Sequence, residues 1–531
     1  MSEDKIQNYS PWSPLAYSVF RALWIAATVS NVGTWMQNVA GVWMMTSLSS
    51  SPVMVSLMQT ASSLPVFLVV LPAGAIADIV DRRRLLLFTQ GWMTVAAAGL
   101  SIVTFMNATT PWILLSFTFA LGMGAAMNMP IWQTVVPRLV PRKELPQAVA
   151  LNSVAFNIAR AIGPALGGAI VAFWGPGPVF FLNALSFLGV IVIIYRWDSS
   201  QRENPLPAEH VMGAIRAGTR YILHAPELRS ALIRCCIFVT CGSALWALMP
   251  LVARHELGMT SRGYGALVGF FGLGALAGAA ILPSARKRMT LDNLLILATI
   301  IFGIVTVTLG YLRIDFLLYG FMIAGGIAWV TVMASFNVAA QTSAASWVQS
   351  RALGFYTLAF QGLMGVSSVM WGTIAEFWGN SLALLLAGFG LATGVAGAFL
   401  WPLKGIRELD LRPSLHWSEP LVAFDPDPED GPVLVMVEYH IDVEKLGEFV
   451  DSAYELKRIR HRDGARRWGL FHDITDPGKY VETFIVDSWA EHVRQHARFT
   501  IGDRAVEDRV RSFHVGSNPP VVSHLIHVKG R

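Results

Sequence analysis

The chain has 531 residues, 54% of them hydrophobic and only 14% charged, with a mean hydropathy of +0.50. That excludes an ordinary water-soluble globular protein. About 35 of the charged residues fall in residues 1–402 and about 40 in the far shorter stretch 403–531, so a lipid-solvated body precedes a water-soluble appendage. The net charge of +5 is carried by short loops between apolar spans, which reads as membrane topology and excludes a nucleic-acid-binding patch.

Residues 1–14 are polar, and the apolar stretch that follows is too long for a signal-peptide core, so it is expected to be a first membrane helix. Crossing a hydrocarbon core of about 30 Å takes about 20 apolar residues in a helix. Such runs are predicted at 20–45, 53–77, 85–106, 112–136, 145–173 and 179–195. A second set follows at 232–252, 264–282, 291–312, 316–341, 353–377 and 382–401. Turns such as Ser49-Ser50-Ser51-Pro52 and Gly175-Pro176-Gly177-Pro178 separate them. Cys235, Cys236 and Cys241 all lie in one apolar span, so no disulfide framework is implied.

The basic residues Arg82-Arg83-Arg84, Arg138 with Arg142-Lys143, Arg286-Lys287-Arg288 and the segment 196–229 all fall on one set of loops. The opposite loops hold little beyond Arg254, Arg262 and Arg313. Cationic loops stay in the cytoplasm, which predicts an inner-membrane, multi-pass protein with both termini cytoplasmic. The polar stretch 196–229 divides two six-helix bundles, 1–195 and 230–402. A Pro- and acid-rich linker (403–431) then leads to a soluble domain (432–531). The bundles echo each other: Gly74 precedes Arg82-Arg83-Arg84 at the offset by which Gly278 precedes Arg286-Lys287-Arg288, as an internal duplication produces.

The loop Gly74-Ala75-Ile76-Ala77-Asp78-Ile79-Val80-Asp81-Arg82-Arg83-Arg84 resembles the signature of the major facilitator superfamily, with Asp81 where that family usually has glycine. Gly74, Asp78, Arg82 and Arg83 would form a conformational latch; the plainer reading is a set of topology signals. The run Ala159-Arg160-Ala161-Ile162-Gly163-Pro164-Ala165-Leu166-Gly167-Gly168 resembles the exporter motif G-P-x-x-G-G of the same superfamily, with Ala159 in place of a leading glycine. Gly163, Gly167 and Gly168 would allow close helix packing, and Pro164 a bend. Residues 30–40 (Ser30-Asn31-Val32-Gly33-Thr34-Trp35-Met36-Gln37-Asn38-Val39-Ala40) and Arg138-Leu139-Val140-Pro141 are similar to the secretion-effector branch, the enterobactin-exporter-like group. The resemblance spans about residues 15–402. It implies a twelve-helix major facilitator fold and a proton-coupled antiporter that exports small amphipathic molecules of the siderophore or drug class.

Polar side chains at membrane depth are the candidates for the pathway. Arg160 shares a helical stripe with Asn157, Pro164 and Gly167, which turns it away from lipid. Either it meets an anionic substrate or carboxylate, or it is a structural arginine bonded to backbone carbonyls. Asn31, Thr34 and Asn38 form a stripe on the first span, and Asn128, Gln133, Asn337, Gln341 and Gln361 are similar sites, each of which would equally serve as glue between helices. Trp35, Trp43, Met123, Met127 and Trp132 suit an adaptable apolar wall. The spans hold almost no carboxylate: Asp78 and Glu376 sit near helix ends. No phosphate-binding loop is present, which argues against direct ATP hydrolysis.

Beyond the linker, strands are predicted at 433–441, 466–474, 479–486 and 521–528, with helices at 443–461 and 489–499, the order βαββαβ of a ferredoxin-like unit. This order resembles the dimeric α+β barrels of the antibiotic-biosynthesis monooxygenase type, which implies a regulatory or dimerising tail or, alternatively, a tethered enzyme. His492 and His496 lie one turn apart, with Trp468, His472, His514 and His524 in the same domain. Without further ligand spacing these read as solvated helix-face histidines, so no metal, cofactor or catalytic residue is assigned. The expected partners are membrane lipid and a small-molecule substrate.

Overall fold

In lipid, backbone N–H and C=O groups have no water to bond with, so each long apolar run closes its hydrogen bonds internally as a helix. The computed structural model describes residues 10, 12–79, 81–196, 211–403, 410–414, 416–417 and 426–528. Its contacts divide the chain into two units. One comprises Met1–Ala208, Ile233–Phe336 and Tyr356–Pro402, the other Glu209–Leu232, Asn337–Phe355 and Leu403–Arg531.

The helices of the first half are α1 (Ser18–Leu48), α2 (Pro52–Ile79), α3 (Arg82–Phe105), α4 (Pro111–Leu139), α5 (Leu145–Trp174) and α6 (Gly177–Arg196). An amphipathic helix α7 (Val211–His224) follows. Then come α8 (Pro226–Leu251), α9 (Ser261–Arg288), α10 (Leu291–Tyr311), α11 (Asp315–Thr342), α12 (Gln349–Trp378) and α13 (Asn380–Leu400). Among the described residues, eleven helices are long and apolar enough to cross a membrane. Helix α1 falls outside that set although it is 31 residues long, because polar residues run along it. With it the transmembrane helices among the described residues number twelve, in two sets of six. Helix α7 interrupts the stretch expected to be only a polar connection.

Local chemistry sets the breaks. The Thr110 hydroxyl accepts the Ile113 N–H at the start of α4, and Thr290 does the same for Asn293 at α10. Gly175 (φ +80°) ends α5 and Gly379 (φ +86°) precedes α13, left-handed positions that favour glycine. These two turns occupy matching places in the two halves, the fifth-to-sixth connection of each.

Helix α5 is wedged between α1 and α9 by missing side chains. A methyl at Gly167 would stand 2.8 Å from the Met36 carbonyl oxygen, and one at Gly163 2.6 Å from Trp35 Cβ. On the other side, a methyl at Gly168 would lie 2.5 Å from the Ser261 carbonyl oxygen. Methyls at Gly265 and Gly272 would each come within 2.6 Å of a carbonyl oxygen of α5, those of Pro164 and Arg160. The close backbone approach reserves these positions for glycine.

In the other unit the chain forms β1 (Val433–His440), α14 (Leu446–Asp463), β2 (Arg467–His472), β3 (Lys479–Val486), α15 (Trp489–Arg498), α16 (Ile501–Ser512) and β4 (Val521–Ile526). The sheet order is β2-β3-β1-β4, antiparallel throughout, with Val435 opposite both Phe484 and His524. This is the ferredoxin-like arrangement, with α16 as an addition to the expected elements. A reciprocal capping box between Thr500 and Asp503 starts α16 directly after α15. The alternating residues Val433, Val435, Val437 and Tyr439 are buried under the helices.

Charge inside this domain is paired. Arg460 donates to Glu482 (3.1 Å) and lies 3.6 Å from Glu507, and Arg462 is forked onto Asp463 and Asp503. Glu482 also accepts from Trp468 and Tyr439, and Glu507 from Trp417. The histidines depart from expectation. His492 is only 2% exposed, and it packs on His524 and His496 at ring separations of 4.7 and 5.1 Å. Helix α15 turns this face inward, so His492 is a core side chain. Among the described residues no group of three or more histidine, cysteine or acidic side chains is placed to hold a metal.

Burial, reinforced by His524 and His496, pushes His492 down to about 3. An unfolded histidine titrates near 6.5, so as pH falls below that value the unfolded chain takes up protons that the folded domain refuses. The domain is therefore expected to hold full stability above about pH 6.5 and to lose about 2 kcal/mol through His492 by pH 5. Urea titration of the full-length protein, read by protease resistance of the tail at pH 7 and 5, checks this; His492→Phe should show the smaller pH effect.

Candidate substrate pathway

A cavity of about 560 Å³ opens between the two halves of the first unit. Helix α1 contributes Asn31, Thr34, Trp35 and Asn38, α5 contributes Phe156 and Arg160, and α8 contributes Trp246. Opposite them stand Tyr264 of α9, Trp329 of α11, and Phe360, Gln361 and Met364 of α12. Rings, amides and hydroxyls make up about half of the wall, and aliphatic side chains and methionines most of the rest. Arg160 is the one charged side chain lining it among the described residues.

Close packing explains where Arg160 points. Its backbone carbonyl faces Gly272, so the side chain leaves the α5–α9 contact and enters the cavity. There its guanidinium carbon lies 5.6 Å from the Trp35 ring centre, 5.8 Å from Trp246 and 5.5 Å from Phe271. Such ring faces stabilise a cation without neutralising it. Arg160 Nε is buried with no acceptor, and so is Trp246 Nε1, which belongs to one of the rings around it. Two buried donors beside a cavity that no carboxylate lines among the described residues want an acceptor from outside the protein.

Of the polar residues singled out in the sequence, Asn31, Thr34, Asn38, Arg160 and Gln361 come together on this cavity. Of the others, those that are described lie elsewhere. Asn128 accepts from Thr89 and Gln90 between α3 and α4, and Asn157 donates to the Ser153 carbonyl within α5. Asn337 accepts from Gln341 at 2.6 Å in the other unit, and the Gln133 side chain lies outside the described residues. Trp35 lines the cavity, whereas Met127 and Trp132 pack against Leu85, Leu86 and Ile131 in the first half. Gln37, bonded to Asn183 at 2.5 Å, and the rings of Trp246, Tyr264, Trp329 and Phe360 went unnoticed in the sequence. Aromatic residues in apolar helices carry no mark of the direction they face.

The surroundings of Gly74 and the side chains of Asp78 and Arg82 lie outside the described residues. Arg83 donates to the Ile194 and Tyr195 carbonyls at the end of α6, within its own half. The halves are fastened at the opposite end of the helices. Ser51 Oγ (2.6 Å) and the Val53 N–H (3.3 Å) donate to Glu376 of α12, whose charge thus faces the N-terminus of α2. Arg254 bonds Thr46 and Ser47 and covers the Trp43 ring, which stacks on Tyr264. Arg262 lies over Phe173 at 3.9 Å.

Glu376→Gln should weaken closure at this end by about 1 kcal/mol, which is about fivefold in the open population. A cysteine at position 34, at the cavity, would then react correspondingly faster with a thiol reagent added on the Glu376 side. An unchanged rate would mean that Glu376 does not hold this end shut.

Twelve spanning helices in two matched sets, enclosing a central cavity between them, define a secondary transporter of the major facilitator type. The family model described as transmembrane secretion effector matches residues 9–531, and the chain belongs to that family. Among curated relatives it is 25% identical to an uncharacterized MFS-type transporter of Bacillus subtilis, over 68% of this chain and 88% of that one. It is 24% identical to the staphyloferrin A transporter of Staphylococcus aureus, over 51% of this chain and 69% of that protein. To the enterobactin exporter of Shigella boydii it is 26% identical, over 51% and 66%. The fold is similar to that of an inward-facing bacterial homologue of the lysosomal transporter Spinster, with TM-score 0.58 at 13% identity over 76% of this chain and 98% of that one. A nucleoside transporter, NupG, aligns with TM-score 0.60 at 10% identity over 72% and 100%.

Proposed function

We propose that this transporter exports small amphipathic molecules bearing an acidic group, of the siderophore or drug class, across the cytoplasmic membrane by alternating access. The observation that carries this reading is the pair of unsatisfied donors, Arg160 Nε and Trp246 Nε1, in an aromatic cavity with no carboxylate lining it among the described residues. The rings accept an apolar body, the amides of Asn31, Asn38 and Gln361 bond its polar groups, and Arg160 meets its anion. The relatives named for staphyloferrin A and enterobactin support the substrate class, and the exporter among them supports the direction.

Arg160→Lys keeps the charge but loses the planar fork, and should weaken binding of an acidic ligand such as a catecholate about tenfold. Arg160→Gln should weaken it further, towards about a hundredfold, while a cationic ligand suffers less. Equal losses for both ligands, tracking a fall in thermal stability, would make Arg160 a structural residue only.

We also propose that protons moving inward drive export, and that both termini are cytoplasmic. Loop charge supports the orientation: Arg83 and Arg286 lie at one end of the helices and Glu376 at the other. Reporter fusions at Ser2 and Arg531 should both read as cytoplasmic, and a split result would overturn the topology. An imposed pH gradient across proteoliposomes should drive uphill movement of the acidic ligand; movement indifferent to the gradient would remove proton coupling. The tail is assigned a regulatory or dimerising role. Its buried arginines are saturated by carboxylates, which supports a structural use of its polar interior over catalysis.

A further inference from the structure

The second unit joins three separate parts of the chain: helix α7 with the first residues of α8, the connector between α11 and α12, and the tail. Tyr221 of α7 is 1% exposed. Its hydroxyl donates to the Ser343 carbonyl (3.3 Å) and accepts the Ala345 N–H (3.0 Å), while its ring meets Trp347 edge-on at 5.6 Å. On the tail side, Glu491 accepts from Arg220 of α7 at 3.0 Å and from Arg498 at 2.5 Å. The Arg498 guanidinium in turn covers the Trp347 ring at 4.5 Å. Arg220 also donates to the Arg462 carbonyl, and His224 stacks on His461 at 5.5 Å. One carboxylate thus gathers an arginine from the middle segment and an arginine that lies on the α11–α12 connector.

Two features make this joint separable. Its charged pair keeps contact with water, with Arg220 and Glu491 side chains 17% and 15% exposed. It also encloses a cavity of about 220 Å³, bordered by Tyr221, His224, Ser343, Arg462 and Asp503, where the buried Ser343 hydroxyl oxygen has no partner. A joint that rests on a partly hydrated ion pair beside a void is weaker than a close-packed apolar core. The helices that the joint gathers are those whose further lengths carry Trp246 (α8), Trp329 (α11) and Phe360 with Gln361 (α12), all on the substrate cavity.

We infer that the tail is a releasable brace on the transporter's own helices: Glu491, held between Arg220 and Arg498, ties α7 and the 343–347 connector to the tail, and release of this tie sets the pace of the conformational cycle. The inference rests on the transport reading but not on the nature of the substrate, because the cycle can be followed without one.

The test uses the full-length protein in proteoliposomes, with Cys235, Cys236 and Cys241 replaced by alanine and Thr34→Cys as reporter. The probe is a membrane-impermeant maleimide applied from either side. Arg220→Gln, which lies on α7 and removes the ion pair to Glu491 together with the bond to the Arg462 carbonyl, should raise the rate at which the reporter alternates between sides about fivefold or more. The pair His224→Cys and His461→Cys, closed by oxidation or a short bis-methanethiosulfonate linker, should slow it by a similar factor, with recovery on reduction. Rates that stay within twofold of the parent in both the released and the tied protein overturn the brace. A change in acidic-ligand affinity without any change in these rates would support the cavity assignment and overturn the brace, so the two readings fail separately.

Discussion

The contact of α5 with α1 on one side and α9 on the other is the constraint from which the membrane unit follows. Glycine at positions 163, 167 and 168, answered by Gly265 and Gly272, brings backbone against backbone where lipid supplies no hydrophobic drive for helices to associate. Most of the facing atoms are main chain, so the helices meet there chiefly backbone against backbone. The contact also decides where neighbouring side chains go. Arg160, whose carbonyl oxygen is part of the contact, can place its guanidinium only in the cavity, among Trp35, Trp246 and Phe271.

The arginines of the two units make an instructive contrast. Arg460 and Arg462 in the tail are each buried beside two carboxylates, the usual condition for keeping a charge out of water. Arg160 has ring faces instead, which offset part of its desolvation and leave its Nε donor open. The first arrangement is complete in itself; the second is completed by a ligand. The tail's joint to α7 stands between these cases, since Glu491 serves Arg220 and Arg498 together and remains partly in water.

Much of the architecture was legible in the linear order of residues. Runs of about 20 apolar residues become spans because the bilayer allows little else. The order of strands and helices after residue 431 became a ferredoxin-like sheet with the anticipated elements. Helix α16 was missed although Thr500 and Asp503 carry the spacing of a capping box, because the residues that follow are too polar to look like a packed helix. His492 was misjudged for a related reason: the polarity of α15 suggested solvent on all sides, while the sheet and the neighbouring histidines cover that face.

Class, span number and the small-residue stripe of α5 follow from composition and local spacing, since lipid solvation and backbone hydrogen bonding act on each segment separately. Which polar residues meet is a different matter. Asn38 and Asn157 look alike in an apolar helix, yet one lines the cavity and the other bonds its own backbone, because only the packing of α5 against α1 and α9 sets each helix's rotation. The same holds for Glu376, more than three hundred residues from Ser51 in sequence, and for Glu491, Arg220 and Trp347. Their electrostatics depend on distances between segments that no local pattern encodes.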